Sequence, residues 1–255
     1  MSDLSAFSLA GRRILVTGAN TGIGQGIAVS IARAGGAVVG VGRSGMDETA
    51  EKVSAAGGRF EAVRCNLADH AAAQAMLDSI WGDTGPLDGL VNNAGIIRRA
   101  DAVDLTQADW DDVIDVNLKT VFFLSQSFAR RVLADPKRRG KIVNIASVLS
   151  FQGGIRVASY TASKHGVLGI TRLLACEWAA KGINVNAIAP GYIETSNTEA
   201  LRVDPDRSAA ILARIPAGRW GAPEDIGDAA VFLLAPASNY MHGAVVPVDG
   251  GWLAR

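Results

Sequence analysis

The sequence predicts an α/β fold in which one doubly wound parallel sheet is covered by helices on both faces. Three observations lead there: short apolar runs of strand length recur along the chain, each is apolar almost continuously instead of at every second residue, and stretches with helical spacing fill most of the gaps. Residues 13–16 form the first such run. It ends in a glycine-rich turn, after which residues 23–34 carry Ile and Ala at helical spacing. The alternation continues with a strand at 37–41, a helix around 48–56, a strand at 60–65 and a helix around 71–81. Further buried strands are expected at 87–92, 141–145, 183–188 and 244–248.

A chain of 255 residues, about half of them apolar, can bury one large core, and no repeat, low-complexity tract or long linker divides it. One domain over residues 1–255 is therefore expected. The least regular stretch, 192–216, holds Thr195, Ser196, Pro205 and several charges and is a candidate substrate lid. Twenty-five basic residues balance twenty-five acidic ones, which gives no electrostatic case for nucleic acid or an anionic membrane and favours a small-molecule partner. Cys65 and Cys176 are too few and too far apart for a disulfide framework or a thiolate zinc site, so reduced thiols in a cytoplasmic protein are expected. The N-terminal residues carry Asp3 and no basic leader, and the apolar stretches are too short to span a bilayer. His70 and His242 lack partners at metal spacing, and no metal is expected.

The turn Thr17-Gly18-Ala19-Asn20-Thr21-Gly22-Ile23-Gly24 follows the first strand directly and opens the first helix. A dinucleotide pyrophosphate needs such a place: a helix N-terminus offers unpaired N–H groups and positive dipole, and side chains would block close approach. Gly18 permits the tight turn, Gly22 lets the backbone meet phosphate, and Gly24 lets the helix pack closely. The fold is then of the Rossmann type, although the G-x-x-x-G-x-G spacing departs from the commoner G-x-G-x-x-G.

Residues 159–178 form a helix that places Tyr160 and Lys164 one turn apart on one face. A phenol with its ordinary pKa of about 10 is a poor base at neutral pH. A nearby ammonium favours the phenolate, which lets Tyr160 take or return a proton. Ser147 ends a buried-strand pattern, at the strand's carboxyl end where open α/β sheets bind ligands. Its hydroxyl could orient a substrate oxygen. Asn117 interrupts a helical pattern of Trp110, Val113, Ile114, Val121 and Phe122, which calls for a hydrogen-bonding reason such as a held water or a local kink. His165 points about 100° away from Lys164 on the helix, toward packing or solvent.

With these residues assembled, the chain resembles the short-chain dehydrogenase/reductases from about Leu9 to its end. The motifs that carry the resemblance are the turn from Thr17 to Gly24, Asn92-Asn93-Ala94-Gly95, Asn117, Ser147, Tyr160, Lys164 and Pro190-Gly191. The resemblance implies hydride exchange between NAD or NADP and a hydroxyl or ketone carbon. It implies Tyr160 as acid/base, Lys164 holding the nicotinamide ribose, and Asn117 helping to hold a proton-relay water. The implied cofactor set is Gly18, Asn20, Thr21, Gly22, Ile23, Gly24, Arg43, Ser44, Asn66, Leu67, Asn93, Ala94, Gly95, Tyr160, Lys164, Pro190, Gly191, Ile193 and Thr195.

Segments 150–157, 214–221 and 248–255, with Ile96-Ile97-Arg98-Arg99, look like the branch of that family acting on deoxy sugar acids such as 2-deoxy-D-gluconate or 2-dehydro-3-deoxy-D-gluconate. An acid substrate needs a carboxylate receptor, and arginine is the side chain best shaped for one. Arg98, Gln152 and Arg156 are the expected substrate contacts besides Ser147 and Tyr160. Either arginine could instead make a surface or subunit-contact ion pair.

Members that prefer NAD often have an acidic residue after the second strand, where this chain has Val41-Gly42-Arg43-Ser44. Arg43 and Ser44 could receive a 2′-phosphate, so the sequence leaves NAD and NADP open. Asn66 stands where relatives often have an aspartate for the adenine amine, and its amide oxygen can still accept that bond. Two other readings stay open: a reductase of a different carbonyl substrate such as a ketoacyl group, and a cofactor-binding protein without catalysis. Relatives commonly form tetramers through the helix that holds Tyr160 and through the C-terminal region. Trp252 and Leu253 are apolar enough for burial by a partner or by the core.

Overall fold

In a computed structural model of the chain, which describes residues 4–255, seven strands form one parallel sheet in the order β3-β2-β1-β4-β5-β6-β7. The strands are β1 (Arg13–Thr17), β2 (Ala37–Gly42), β3 (Arg59–Arg64), β4 (Gly89–Asn92), β5 (Gly140–Ile145), β6 (Ile183–Pro190) and β7 (Val245–Val248). The reading of the leader at Asp3 falls outside the described residues.

The central strands are mostly apolar because they bury both faces, whereas β3 at the sheet edge carries Arg59, Glu61 and Arg64 and is partly exposed. Ile14 and Val16 of β1 point to one layer with Ile27 and Ile31 of α1 (Gly22–Arg33), while Leu15 between them points to the opposite layer. That opposite layer holds Leu77 of α3 (His70–Asp83), beyond α2 (Asp47–Ala55) in the chain. It also holds Phe128 of α5 (Thr120–Leu133) and Leu174 of α6 (Ala158–Trp178). Helix starts follow local chemistry: the Asp69 carboxylate caps α3 by accepting from the Ala72 N–H at 3.0 Å, and Thr106 caps α4 (Gln107–Ile114) through the Asp109 N–H.

Most boundaries differ from the sequence expectation by a residue or two, and a few differences are larger. β4 begins at Gly89; before it, the Asp88 carboxylate accepts from the Arg13 N–H, 2.9 Å away. β6 runs on to Pro190, carried by its pairing with β7. The irregular stretch 192–216 contains two short helices, α7 (Ser196–Arg202) and α8 (Pro205–Leu212); Asp204 caps α8 and Pro205 occupies its first turn.

Between α4 and α5 the chain makes a π-helical turn, Asp115–Lys119, with Asn117 buried inside it. A buried polar ladder ties this side of the sheet together. Asn92 Nδ2 donates to Ser125 Oγ and to Asn144 Oδ1, and Asn144 Nδ2 donates to Thr171 Oγ1, all within 3.0 Å.

On the opposite layer α1 lies close against α9 (Pro223–Leu234). A Cβ added at Gly26 would stand 2.6–2.8 Å from Pro223, including its main chain. Backbone cannot swing aside as a side-chain tip can. Gly26→Ala is thus expected to cost about 1–3 kcal/mol by overpacking, read as a lowered urea midpoint at unchanged m.

Lys141 enters β5 buried, and its ammonium donates to Ser238 Oγ at 2.9 Å. Burial, then the nearby Arg12 guanidinium, holds its pKa down to about 8 against an ordinary 10.5. Below pH 8 the folded chain carries the cost of a desolvated ammonium, and that cost fades as pH rises toward 10.5 because the unfolded chain then binds more protons. Lys141→Met is expected to stabilise the protein most at neutral pH. Its advantage over the parent in urea titrations should shrink steadily across that window.

Candidate active site

The winding of the sheet reverses at β1, which lies between β2 and β4, so the loops after β1 and β4 diverge and leave a crevice. Thr17, the last residue of β1, holds the two loops at a set separation. Its hydroxyl donates to the Val91 carbonyl at 3.2 Å and accepts from the N–H groups of Asn93 (2.9 Å) and Ala94 (3.0 Å). Asn93 answers by donating from Nδ2 to the Thr17 carbonyl, 2.8 Å away.

Gly18 (φ 66°) and Gly22 (φ 54°) are left-handed, and a Cβ at Gly18 would lie 2.9 Å from Asn93 Nδ2. Gly24 has the tightest place: its Cβ would be 2.0 Å from the Gly18 carbonyl oxygen, so the helix packs against its own approach turn more than against the strand. Thr21 precedes α1 without capping it by its side chain. The first N–H groups of α1 thus face the cleft without a side-chain cap from Thr21, the donor set that a pyrophosphate accepts from. The residues present fit a dinucleotide.

A cleft of about 680 Å³ opens beside this turn. Every residue of the expected cofactor set lines it, together with Ser147. Far from Tyr160, Arg43 and Ser44 are exposed, and Asn20 Nδ2 donates to Ser44 Oγ at 3.0 Å. The Asn66 amide oxygen accepts from the Ala68 N–H at 3.3 Å, the bond an adenine amine would have to share or replace.

Tyr160 and Lys164 share one face of α6, with Lys164 Nζ 5.6 Å from the centre of the phenol ring. The ammonium itself donates to the Ile145 carbonyl at 2.6 Å, and burial holds its pKa down to about 8. Tyr160 is pushed above its ordinary value by burial, against the Ser147 hydroxyl and the positive charge of Arg99, which pull it down. Ser147 Oγ accepts from the Leu149 N–H at 3.1 Å, which leaves its own proton free for a neighbouring oxygen. Ser150 Oγ accepts from the Ser147 N–H and donates to the Lys164 carbonyl, locking this turn to α6.

Asn117 is not in the cleft wall. Its Oδ1 accepts from the Ile96 N–H (2.8 Å) and its Nδ2 donates to the Ile96 carbonyl (2.9 Å) and to Ser163 Oγ (3.3 Å). The amide ties the turn at Ile96 to α6, and the break in helical pattern that marks it in the sequence is the π-helical turn.

Arg98, Gln152 and Arg156 also stand outside the cleft lining. Arg98 is held by Asp109 (3.3 Å) and Asp112 (3.0 Å) of α4, and Arg156 by Asp101 (3.3 Å). Carboxylates of the chain itself occupy both guanidinium groups. Arg156 also adopts φ 64°, rare for a residue with a Cβ, and its carbonyl accepts from the Ala100 N–H. Sequence reasoning passed over Ile96, Val116 and Asn197 in the cleft wall, and it gave no role to Arg99, which stands outside the lining like its neighbour Arg98. Only the loop conformation separates the two neighbouring arginines, and no local pattern reports it.

His165 Nδ1 lies against the Thr161 carbonyl at the surface, and among the described residues no group of three or more His, Cys, Asp or Glu is placed to hold a metal. No helix of the described residues is long and apolar enough to cross a membrane. Trp252 is buried by the chain's own residues, tilted against Tyr192 and covered by the Arg214 guanidinium 4.0 Å from its ring.

A family model described as enoyl-(acyl carrier protein) reductase matches residues 18–253. The chain is 55% identical over 252 residues to 2-dehydro-3-deoxy-D-gluconate 5-dehydrogenase of Dickeya dadantii, covering 99% of each protein. It is 49% identical to the enzyme of the same name from Bacillus subtilis, with 98% of each covered. Among solved structures, a candidate 2-deoxy-D-gluconate 3-dehydrogenase from Agrobacterium tumefaciens with bound NADP is 62% identical; the match has a TM-score of 0.94 and covers 98% of this chain and 99% of that one. Relatives of this identity and coverage, on a seven-stranded sheet whose crevice gathers Ser147, Tyr160, Lys164 and the glycine turn, make the chain a member of the short-chain dehydrogenase/reductase family.

Proposed function

We propose that this protein is an NAD(P)-dependent dehydrogenase that oxidises a secondary alcohol of a deoxy sugar acid, or reduces the matching ketone, with 2-deoxy-D-gluconate and 2-dehydro-3-deoxy-D-gluconate as the substrates to try first. The observation that carries this reading is one cleft in which an uncapped glycine-lined helix N-terminus and the Ser147–Tyr160–Lys164 group face the same space. Identity of about half the residues to sugar-acid dehydrogenases supports the substrate class.

When bound, the nicotinamide supplies the acceptor or donor of hydride. Gly18, Asn20, Thr21, Gly22, Ile23 and Gly24 take the pyrophosphate on main-chain N–H groups, and Asn93, Ala94, Gly95, Pro190, Gly191, Ile193 and Thr195 form the cleft walls toward the reacting end. Asn66 and Leu67 flank the adenine. Arg43 and Ser44 offer a cation and a hydroxyl for a 2′-phosphate, and the two positions directly after β2 hold no carboxylate to repel it. NADP is therefore a cofactor this edge can accept, as the A. tumefaciens relative does.

Ser147 holds the substrate oxygen with its free proton, and Tyr160 receives the alcohol proton on oxidation and returns it on reduction. Lys164 holds the ribose and favours the phenolate by charge once its bond to Ile145 is shared, and Asn117 fixes the turn that carries Gly95. The segment 192–216 closes over the reactants: Thr195 already stands against Gly22, where an added Cβ would be 3.1 Å from its methyl carbon. The enzyme works in the cytoplasm as a homotetramer, with partly exposed side chains such as Leu173 on the outer face of α6 meeting a partner subunit.

The direct test is a panel of deoxy sugar acids with NAD and NADP, followed by absorbance of the reduced nicotinamide; no turnover of any acid with either cofactor removes the reading. Tyr160→Phe should abolish turnover and leave the cofactor dissociation constant within about twofold, measured by nicotinamide fluorescence.

Because the Tyr160 pKa is raised in the resting chain, the proton-accepting phenolate gains population only toward alkaline pH. Oxidation should therefore speed up as pH rises, whereas reduction, which needs the phenol, should not. Ser147→Ala removes a group that lowers that pKa, so its oxidation profile should move to higher pH as well as fall in height. A fall in height at an unmoved profile would separate Ser147 from the phenol.

A further inference from the structure

Ser150 is buried and stands outside the cleft lining, yet its hydroxyl is bonded to the main chain of two residues that line it. Ser150 Oγ accepts from the Ser147 N–H at 3.2 Å and donates to the Lys164 carbonyl at 2.7 Å. A hydroxyl has one proton, and here it goes to α6, so the bond to Ser147 uses a lone pair. Both bonds together need a side chain that donates and accepts at one atom. The turn Val148–Ser150 has use for such a fastening. β5 stops at Ile145, and the next main-chain bond to the sheet runs from the Ala146 N–H to the Ile188 carbonyl, 2.7 Å away. Beyond it, Val148 packs with Ile211, Ile215, Trp220 and Trp252, so its side chain ties the turn to α8 and the C-terminal residues. Ser150 ties the same turn to a different body, the helix that carries Tyr160. The Ser147 hydroxyl acts directly on the Tyr160 phenol, and its placement relative to α6 therefore bears on the proton chemistry.

We propose that Ser150 is a positioning residue of the reaction: its hydroxyl clamps the Ser147 turn to α6 and so keeps the Ser147 hydroxyl in register with the Tyr160 phenol. This rests on the dehydrogenase reading and adds to it a residue outside the cleft on which the proton-transfer geometry depends. Ser150 touches neither substrate nor cofactor, and its influence on the phenol passes through Ser147. Groups that act on a reacting atom keep their geometry only when a second set of hydrogen bonds locks them, and here one atom locks the segments on both sides of the contact.

The experiment follows the ionisation of Tyr160 by NMR in protein whose three tyrosines carry carbon-13 at the hydroxyl-bearing ring carbon, with the Tyr160 signal assigned by its loss in Tyr160→Phe. The protein is loaded with oxidised NAD or NADP, and the parent is compared with Ser150→Ala, Ser147→Ala and the double variant. Affinity for the reduced cofactor, by nicotinamide fluorescence, checks that each is folded. Ser150→Ala should move the Tyr160 midpoint up by about half a pH unit or more, whereas the same change made in Ser147→Ala should move it by less than about 0.2. Ser150→Thr keeps the hydroxyl and should bring the midpoint back toward the parent. A midpoint in folded Ser150→Ala within about 0.2 of the parent overturns the proposal, as does an equal shift with and without the Ser147 hydroxyl. Should Ser150→Ala not fold, Ser150→Cys, a weaker donor of similar size, is read by the same criteria. The titration needs no substrate, so a failure of the sugar-acid reading shows as absent turnover in the parent and is separate from this result.

Discussion

The hydroxyl of Thr17 is the contact on which the crevice depends. Its three hydrogen bonds join the last residue of β1 to the end of β4 and the turn after it, the two strands between which the winding reverses. Each bond contributes only about 1 kcal/mol in net terms. Their geometric effect is larger, since the glycine turn and the Asn93–Gly95 turn are kept at one separation, and that separation is the width of the cleft. Asn117 then braces the second turn from behind, and Asn93 returns a bond to the first. Cofactor cradle and reacting groups are therefore parts of one hydrogen-bonded body.

Proton chemistry in this cleft is a balance between burial and the polar groups around the phenol. Burial raises the phenol and depresses the lysine, while a hydroxyl and a guanidinium favour the phenolate. The lysine ammonium, the group that sequence reasoning makes responsible for the tyrosine, also donates to the Ile145 carbonyl. The Tyr160 pKa is thus set by the burial, the hydroxyl and the guanidinium around it and not by the neighbouring lysine alone.

The sheet was legible in the sequence because burial on both faces makes the central strands nearly continuous apolar runs: Ile14, Leu15 and Val16 go to alternate layers and are all apolar. Tyr160, Lys164 and Ser147 were legible because helix spacing and a strand's end determine their positions without long-range knowledge. α7 and α8 were harder to see, since they are short and their signals are the caps at Thr195 and Asp204. The arginines were least legible. Whether Arg98 or Arg99 meets Asp109 and Asp112 depends on how residues 96–106 lie against α4, and this follows from tertiary packing that no local pattern encodes.

The π-helical turn at Asp115–Lys119 has a consequence for the architecture on either side of it. An inserted residue advances the azimuth of everything beyond it by about 100°. α4 and α5 are thus one rod with a phase jump: the first part can lie on α6 while the second turns its apolar stripe to α3 and the sheet. A regular helix of the same length would present one continuous stripe, and it would have to give up one of those neighbours.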